Sequence, residues 1–148
     1  MSSLGDLLGG ADKSKLFKQS LSLGDVFLKE FEGIEHPKFF IVAGLSGDKA
    51  FLCSVYINSR IHPSIMKKQN LLELQIPLRK SHNPFLKYDS FANCSNHIPM
   101  DTESLNGWVS EGSCKVIGSV FKDDMLAITK TLKNSGLLSE EEIELYFP

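Results

Sequence analysis

Several side chains in the first half of the sequence are suited to phosphate chemistry. Arg60 offers a planar fork that grips a phosphate through two parallel N–H bonds, and Lys38 offers a compact point charge. Asn58 and Ser59 directly precede Arg60 and supply an amide and a hydroxyl. His36 and His62 stand close to these cations in sequence, and imidazole is the side chain best placed to move protons near neutral pH. A second polar group, His82 with Asp89 and Ser90, reads as a loop hydrogen-bond network.

Other chemistries lack their signatures. The chain has no glycine-rich phosphate loop, no G-x-S-x-G elbow, no H-E-x-x-H and no C-x-x-C. His36, His62, His82 and His97 are widely spaced, with no i, i+4 pair, so neither a metal site nor a cofactor is expected. The carboxylates at Asp123-Asp124 and Glu140-Glu141-Glu142 fall at expected helix starts and read as solvated capping charges. Cys53, Cys94 and Cys114 are an odd count without metal-ligand spacing, which fits buried thiols of a protein in the reducing cytoplasm.

A net charge of −2 argues against a protein that coats nucleic acid nonspecifically. The charge is unevenly spread, however. Between positions 61 and 87, Lys67, Lys68, Arg79, Lys80 and Lys87 face a single acid, Glu73, and Arg60 precedes them. Phe85, Tyr88 and Phe91 lie among Lys80 and Lys87, and such a mixture suits single-stranded nucleic acid, whose bases stack on rings. Of these aromatics, Phe91 reads as core.

A small domain must hold these residues. At 148 residues with 42% hydrophobic side chains, the chain is long enough for one core without disulfides or metal. No apolar run approaches the roughly 20 residues of a membrane span, and the first residues lack the pattern of a secretory signal. Positions 1–22 read as a partly helical extension, with Asp12 capping a helix over 13–20 and Leu16 and Phe17 facing inward. Positions 23–148 read as one barrel domain with C-terminal helices.

Within that domain, 26–31 reads as a strand. The apolar runs 39–43 and 51–57 flank Ser46-Gly47-Asp48-Lys49, which is turn chemistry, so they form an antiparallel hairpin of inner strands. The hairpin brings its two open ends together, and those ends carry Lys38 and residues 58–60. Alternation of Leu72, Leu74 and Ile76 with Glu73 and Gln75 gives a half-buried strand ending at Pro77. Short strands are expected at 90–94 and 115–120. Phe121, Met125, Ile128 and Leu132 share one helical face, Gly136 fits a C-cap, and Ser139 with Glu142 makes a capping box for a last helix. Strands followed by helices give an α+β fold, with the sheet curled into a small barrel.

The order of these pieces from position 24 to 138 resembles the MazF/PemK family of toxin–antitoxin ribonucleases. Gly24-Asp25-Val26-Phe27-Leu28 is similar to the family's first strand. Pro37-Lys38 leads into the second strand where the family commonly has Arg-Pro. Asn58-Ser59 stands where it often has Thr or Ser, and Asp89 to Ile98 resembles its late strand and following turn. The resemblance implies an SH3-like barrel, a homodimer, a protein or RNA antitoxin as partner, and metal-free cleavage of single-stranded RNA by attack of a ribose 2′-OH. It implies that Lys38 and Arg60 stabilise the phosphate charge, that Ser59 and Asn58 bind the phosphate or the 2′-OH, and that His36 or His62 moves protons. Lys80, Lys87 and Tyr88 would hold the RNA strand. The alternative is a noncatalytic barrel module that binds a protein partner. A third reading, a toxin that poisons a topoisomerase through its C-terminal helix, follows from related toxins.

Overall fold

The computed structural model describes residues 13–33 and 35–148. In chain order the elements are α1 (residues 13–20), β1 (Asp25–Lys29), β2 (Lys38–Leu45), β3 (Phe51–Asn58), α2 (Pro63–Met66), α3 (Gln69–Leu72), β4 (Gln75–Leu78), β5 (Ser90–Asp101), α4 (Thr102–Ser110), β6 (Cys114–Ser119), α5 (Lys122–Asn134) and α6 (Glu140–Tyr146). The strands form one antiparallel sheet in the order β4-β5-β3-β2-β1-β6. Among the described residues no helix is long and apolar enough to cross a membrane.

The hairpin β2–β3 forms as the two apolar runs require. Phe39 pairs with Ile57 and Leu45 with Leu52. The turn closes through Lys49 N–H donating to Ser46 O at 2.9 Å, while Ser46 Oγ and the Asp48 carboxylate cap it internally. Both faces of these strands are covered, which is why the runs are continuously apolar rather than alternating. On one face Ile41, Ala43, Cys53, Val55 and Ile57 meet Ile128 and Leu132 of α5 and Tyr146 of α6. On the other, Phe40, Val42 and Leu52 meet Leu21 after α1 and Leu105 of α4, with Phe17 packed at the edge. Leu16, expected to face inward, is 63% exposed; the cap assigned to Asp12 lies outside the described residues.

The sheet has two edges, β4 and β6, so it is an open six-stranded sheet and not a closed ring. The segment 79–89 after β4 nevertheless reaches across to β6. Asn83 is fully buried there. Its Nδ2 donates to Arg79 O and Asp124 Oδ2, and its Oδ1 accepts from Phe121 N–H at 2.9 Å. One side chain thereby ties the β4–β5 connection to the first turn of α5.

The C-terminal helices follow the sequence signals. Gly136 has φ +76°, the left-handed conformation of a helix C′ residue. Both halves of the Ser139–Glu142 capping box form. All three cysteines are free and buried. Burial pushes the thiols of Cys53 and Cys94 up to about 12 and that of Cys114 to about 11. They are core side chains without nucleophilic character.

Candidate functional site

The end of β3, the start of β2, the end of β4 and the start of β5 all lie at one end of the sheet, because neighbouring strands are antiparallel. Continuing the pair Phe39↔Ile57 by one step sets Lys38 across from Asn58. The hairpin therefore brings together the two chain segments that the sequence marks as chemical.

Strand alternation then decides which side chains share a face. Ala92 and Cys94 of β5 point into the core under α5, so Phe91 and Asn93 point to the opposite face. Tyr56 packs into the core under α4, so Asn58 projects on that same opposite face, as does Lys38, two residues before Phe40. Ser59, one step on, turns away. Phe91, expected in the core, is half-buried on this face, where it pairs with Asn58 and Pro77.

A cleft of about 460 Å³ opens on this face, lined by Asn58, Arg60, His62, Gln75 and Asn93 together with the apolar Ile61, Pro63 and Ile65. Three of the residues singled out in the sequence, Asn58, Arg60 and His62, meet here. Lys38 is exposed beside the cleft across from Asn58 and is not part of its lining; neither is Ser59 or His36, both exposed. Lys80, Lys87 and Tyr88 lie on the 79–89 connection, all exposed, with Tyr88 at 69%.

His62 is the N-cap of α2, and its ring orientation is fixed locally. Ser64 N–H donates to His62 Nδ1 at 3.1 Å, and Ser64 Oγ lies 2.7 Å from the same nitrogen. Because a backbone N–H can only donate, Nδ1 is an acceptor, and the neutral ring carries its proton on Nε2. His62 is thus arranged to donate a hydrogen bond from Nε2.

The other histidines divide by their surroundings. His97 Nε2 is 3.0 Å from Glu142 Oε2 and joins β5 to α6. The His82 ring packs at a tilt of 31° against Phe121, with ring centroids 4.6 Å apart. Asp89 accepts from Lys80 N–H and Ser90 Oγ donates to Tyr88 O, whereas the His82 ring takes part in no hydrogen bond among the described residues, so the expected network forms without it. His36 has no hydrogen-bond partner among the described residues.

The floor of the cleft was not visible in the sequence. Between the pairs Val55↔His97 and Ile57↔Ala92, four residues of β5 stand opposite one of β3, a wide bulge. Asn93 holds it: its Oδ1 accepts from Ser95 N–H at 3.1 Å and from Ser95 Oγ. Directly across β4, Gln75 Nε2 donates to Asn93 Oδ1 at 2.8 Å and reaches Ser95 Oγ and Leu71 O. Gln75 was expected to face solvent; it is 6% exposed.

Among the described residues no group of three or more His, Cys, Asp or Glu side chains could hold a metal ion. The cleft itself is lined by amides, a guanidinium and an imidazole, with no carboxylate. That donor set suits an anion or a polar ring edge rather than a cation. In comparisons with known proteins, no family model matches the chain and no curated protein matches it.

Proposed function

We propose that this protein is a metal-independent endoribonuclease of the MazF/PemK toxin type, which cuts single-stranded RNA in the Asn58–Arg60–His62 cleft. On this reading the open sheet, bridged by segment 79–89, is a variant of the SH3-like barrel. The observation that carries the proposal is that one cleft joins a guanidinium, an amide and an imidazole poised to donate from Nε2. Those groups can grip and polarise a phosphate diester as it undergoes internal transesterification.

In that reaction the ribose 2′-oxygen forms a bond to phosphorus and the P–O5′ bond breaks. Arg60 grips the phosphate oxygens as their charge grows. His62 Nε2–H donates a hydrogen bond to the departing O5′, which takes its proton from a solvent water. His36, the other imidazole without a packing role, takes the proton from the 2′-OH. Lys38 on the rim and Lys80, Lys87 and Tyr88 beyond it hold the strand. The products are a 2′,3′-cyclic phosphate and a free 5′-OH, and the proton held by His36 returns to the hydroxide left by that water.

The test is incubation of purified protein with single-stranded RNA in excess EDTA. Cleavage to ends that resist 5′-exonuclease until phosphorylated supports the reading. Intact RNA under every salt and metal condition overturns it. A noncatalytic module that binds a protein partner is then the better reading. It is favoured by one observation, the exposure of Ser59 and His36 outside the cleft lining.

A further inference from the structure

We infer that Gln75 and Asn93 form a fixed reader for the edge of a pyrimidine base, so that the cleft accepts uracil or cytosine in preference to a purine; this deepens the RNA reading of the same cleft.

The argument begins with orientation. An amide's nitrogen and oxygen are told apart only by their partners. Here a backbone donor settles them. Ser95 N–H can only donate, so the atom it meets on Asn93 is Oδ1, and Asn93 Nδ2 is turned elsewhere. Leu71 O can only accept, so the atom of Gln75 that faces it and Asn93 Oδ1 is Nε2. Both amides are thus locked in one flip state by the bulge and by the end of α3.

What remains free is equally definite. Gln75 is more than nine-tenths buried and lines the cleft, yet its Oε1 has no partner among the described residues. No fully buried side-chain oxygen or nitrogen lacks a partner among those residues, so Oε1 is not sealed from solvent, and the cleft is the opening that Gln75 lines. Asn93 Nδ2 also has no partner among the described residues. A nearly buried amide oxygen held without a partner is costly unless a ligand or water supplies the donor.

The cleft therefore offers one fixed acceptor, Gln75 Oε1, among several donors: Asn93 Nδ2, the Arg60 guanidinium and His62 Nε2. Its best complement is a ring edge with one donor and two acceptors. Uracil presents N3–H between two carbonyl oxygens; cytosine presents N4–H beside N3 and O2. Guanine's pairing edge carries two donors and one acceptor and would set donors against donors. Adenine's carries one of each and leaves a cleft donor unmatched. Phe91 lies two residues from Asn93 on the same strand face and offers a ring on which the base can stack.

The experiment uses the full chain and 2′-O-methyl hexanucleotides, which cannot be cut for want of a 2′-OH. Fluorescence anisotropy measures Kd for oligo-U, oligo-C and oligo-A. The expected result is binding of the pyrimidine hexamers roughly tenfold or more tighter than oligo-A, the scale of one lost buried hydrogen bond. Asn93→Asp keeps the Ser95 bond but replaces the free donor with an acceptor. Gln75→Met keeps the volume and removes Oε1. Each should bring the pyrimidine-to-adenine ratio to about one, with thermal melts confirming that the variant folds. Equal Kd values for the three hexamers on the wild type, no binding of any hexamer at tens of micromolar protein, or an unchanged ratio in a folded variant overturns the inference. The outcomes separate from those of the cleavage proposal. RNA cleavage without base preference removes the reader alone, and base preference without cleavage removes the nuclease alone.

Discussion

A Cβ on Gly118 would stand 2.8 Å from the ring of Phe85, closer than side-chain carbons pack. Phe85 therefore packs directly against the backbone of edge strand β6 at Gly118. Phe85 belongs to the connection between β4 and β5, at the other edge of the sheet. Together with Asn83 bonded to Phe121 N–H, this contact spans the gap that no strand pairing closes.

Gly118→Ala should thus push the Phe85 ring off β6. Overpacking of this kind costs about 1–3 kcal/mol. Phe85→Ala, which leaves a cavity instead, should cost up to about 3–5 kcal/mol, reduced because the ring is only half-buried. Urea unfolding measures both. The double variant should lose less than the sum, since the alanine at 118 then has room; full additivity would show that the two residues do not press on each other.

Leu132 is fully buried between α5 and the sheet. Leu132→Ala should destabilise by about 2–5 kcal/mol, as truncation of a buried leucine does. Leu126, on the same helix but 62% exposed, is the control: Leu126→Ala should leave the unfolding midpoint almost unchanged.

The helix α5, its Gly136 C′ residue and the capping box of α6 were legible because each rests on local spacing. So was the hairpin, where two apolar runs surround a turn. What escaped was set by distant neighbours. β5 extends through Pro99, a residue that argues against a strand. It is tolerated because β4 pairs only with positions 90–93, so the outer side of β5 is free beyond the bulge. Helix α4 begins at a sound N-cap, Asp101, whose carboxylate accepts from Ser104 N–H, but Gly107 and few apolar residues disguise it as a loop. Of the site, Asn58, Arg60 and His62 were marked by type and spacing. Gln75 was read as solvent-facing from its place in an alternating run. Nothing local announces that a bulge in β5, whose Asn93 is eighteen residues on from Gln75, will cover it.

The pair His97–Glu142 gives a pH dependence. Bonds from Ser139 first, then from His97, hold the Glu142 carboxyl below its ordinary value of 4.5. A carboxyl lowered in the folded state stabilises the fold above its unfolded value, and this contribution fades as pH falls through the lower folded value. Glu142→Gln should therefore lower Tm by about 1–3 °C near neutral pH, a modest figure for a partly exposed pair. The two melting curves should converge as pH falls through the lowered folded value, where the wild-type carboxyl also becomes neutral. A constant difference down to acid pH would assign the effect to the cap geometry and not to the charge.

The sharpest prediction separates the two cations that the sequence treats alike. Arg60 lines the cleft with His62, whereas Lys38 stands outside it, exposed and across from Asn58. If the cleft cuts RNA, Arg60 meets the phosphate where charge develops, and its guanidinium is a preorganised contact. Removing such a contact typically lowers the rate by ~10²–10³. Arg60→Ala should show that loss in kcat, and Arg60→Lys should recover only part of it, because a point charge cannot replace the fork. Lys38 would meet the strand away from the reacting phosphate and act through binding. Lys38→Ala should then raise KM a few-fold with little change in kcat, and the increase should shrink at high salt as the screened strand contact loses value in both proteins. Single-turnover and steady-state cleavage assays resolve the two parameters. If Lys38→Ala instead lowers kcat as much as Arg60→Ala, the reacting phosphate lies over the mouth of the β2–β3 hairpin, and the cleft floor at Gln75 and Asn93 serves a neighbouring nucleotide.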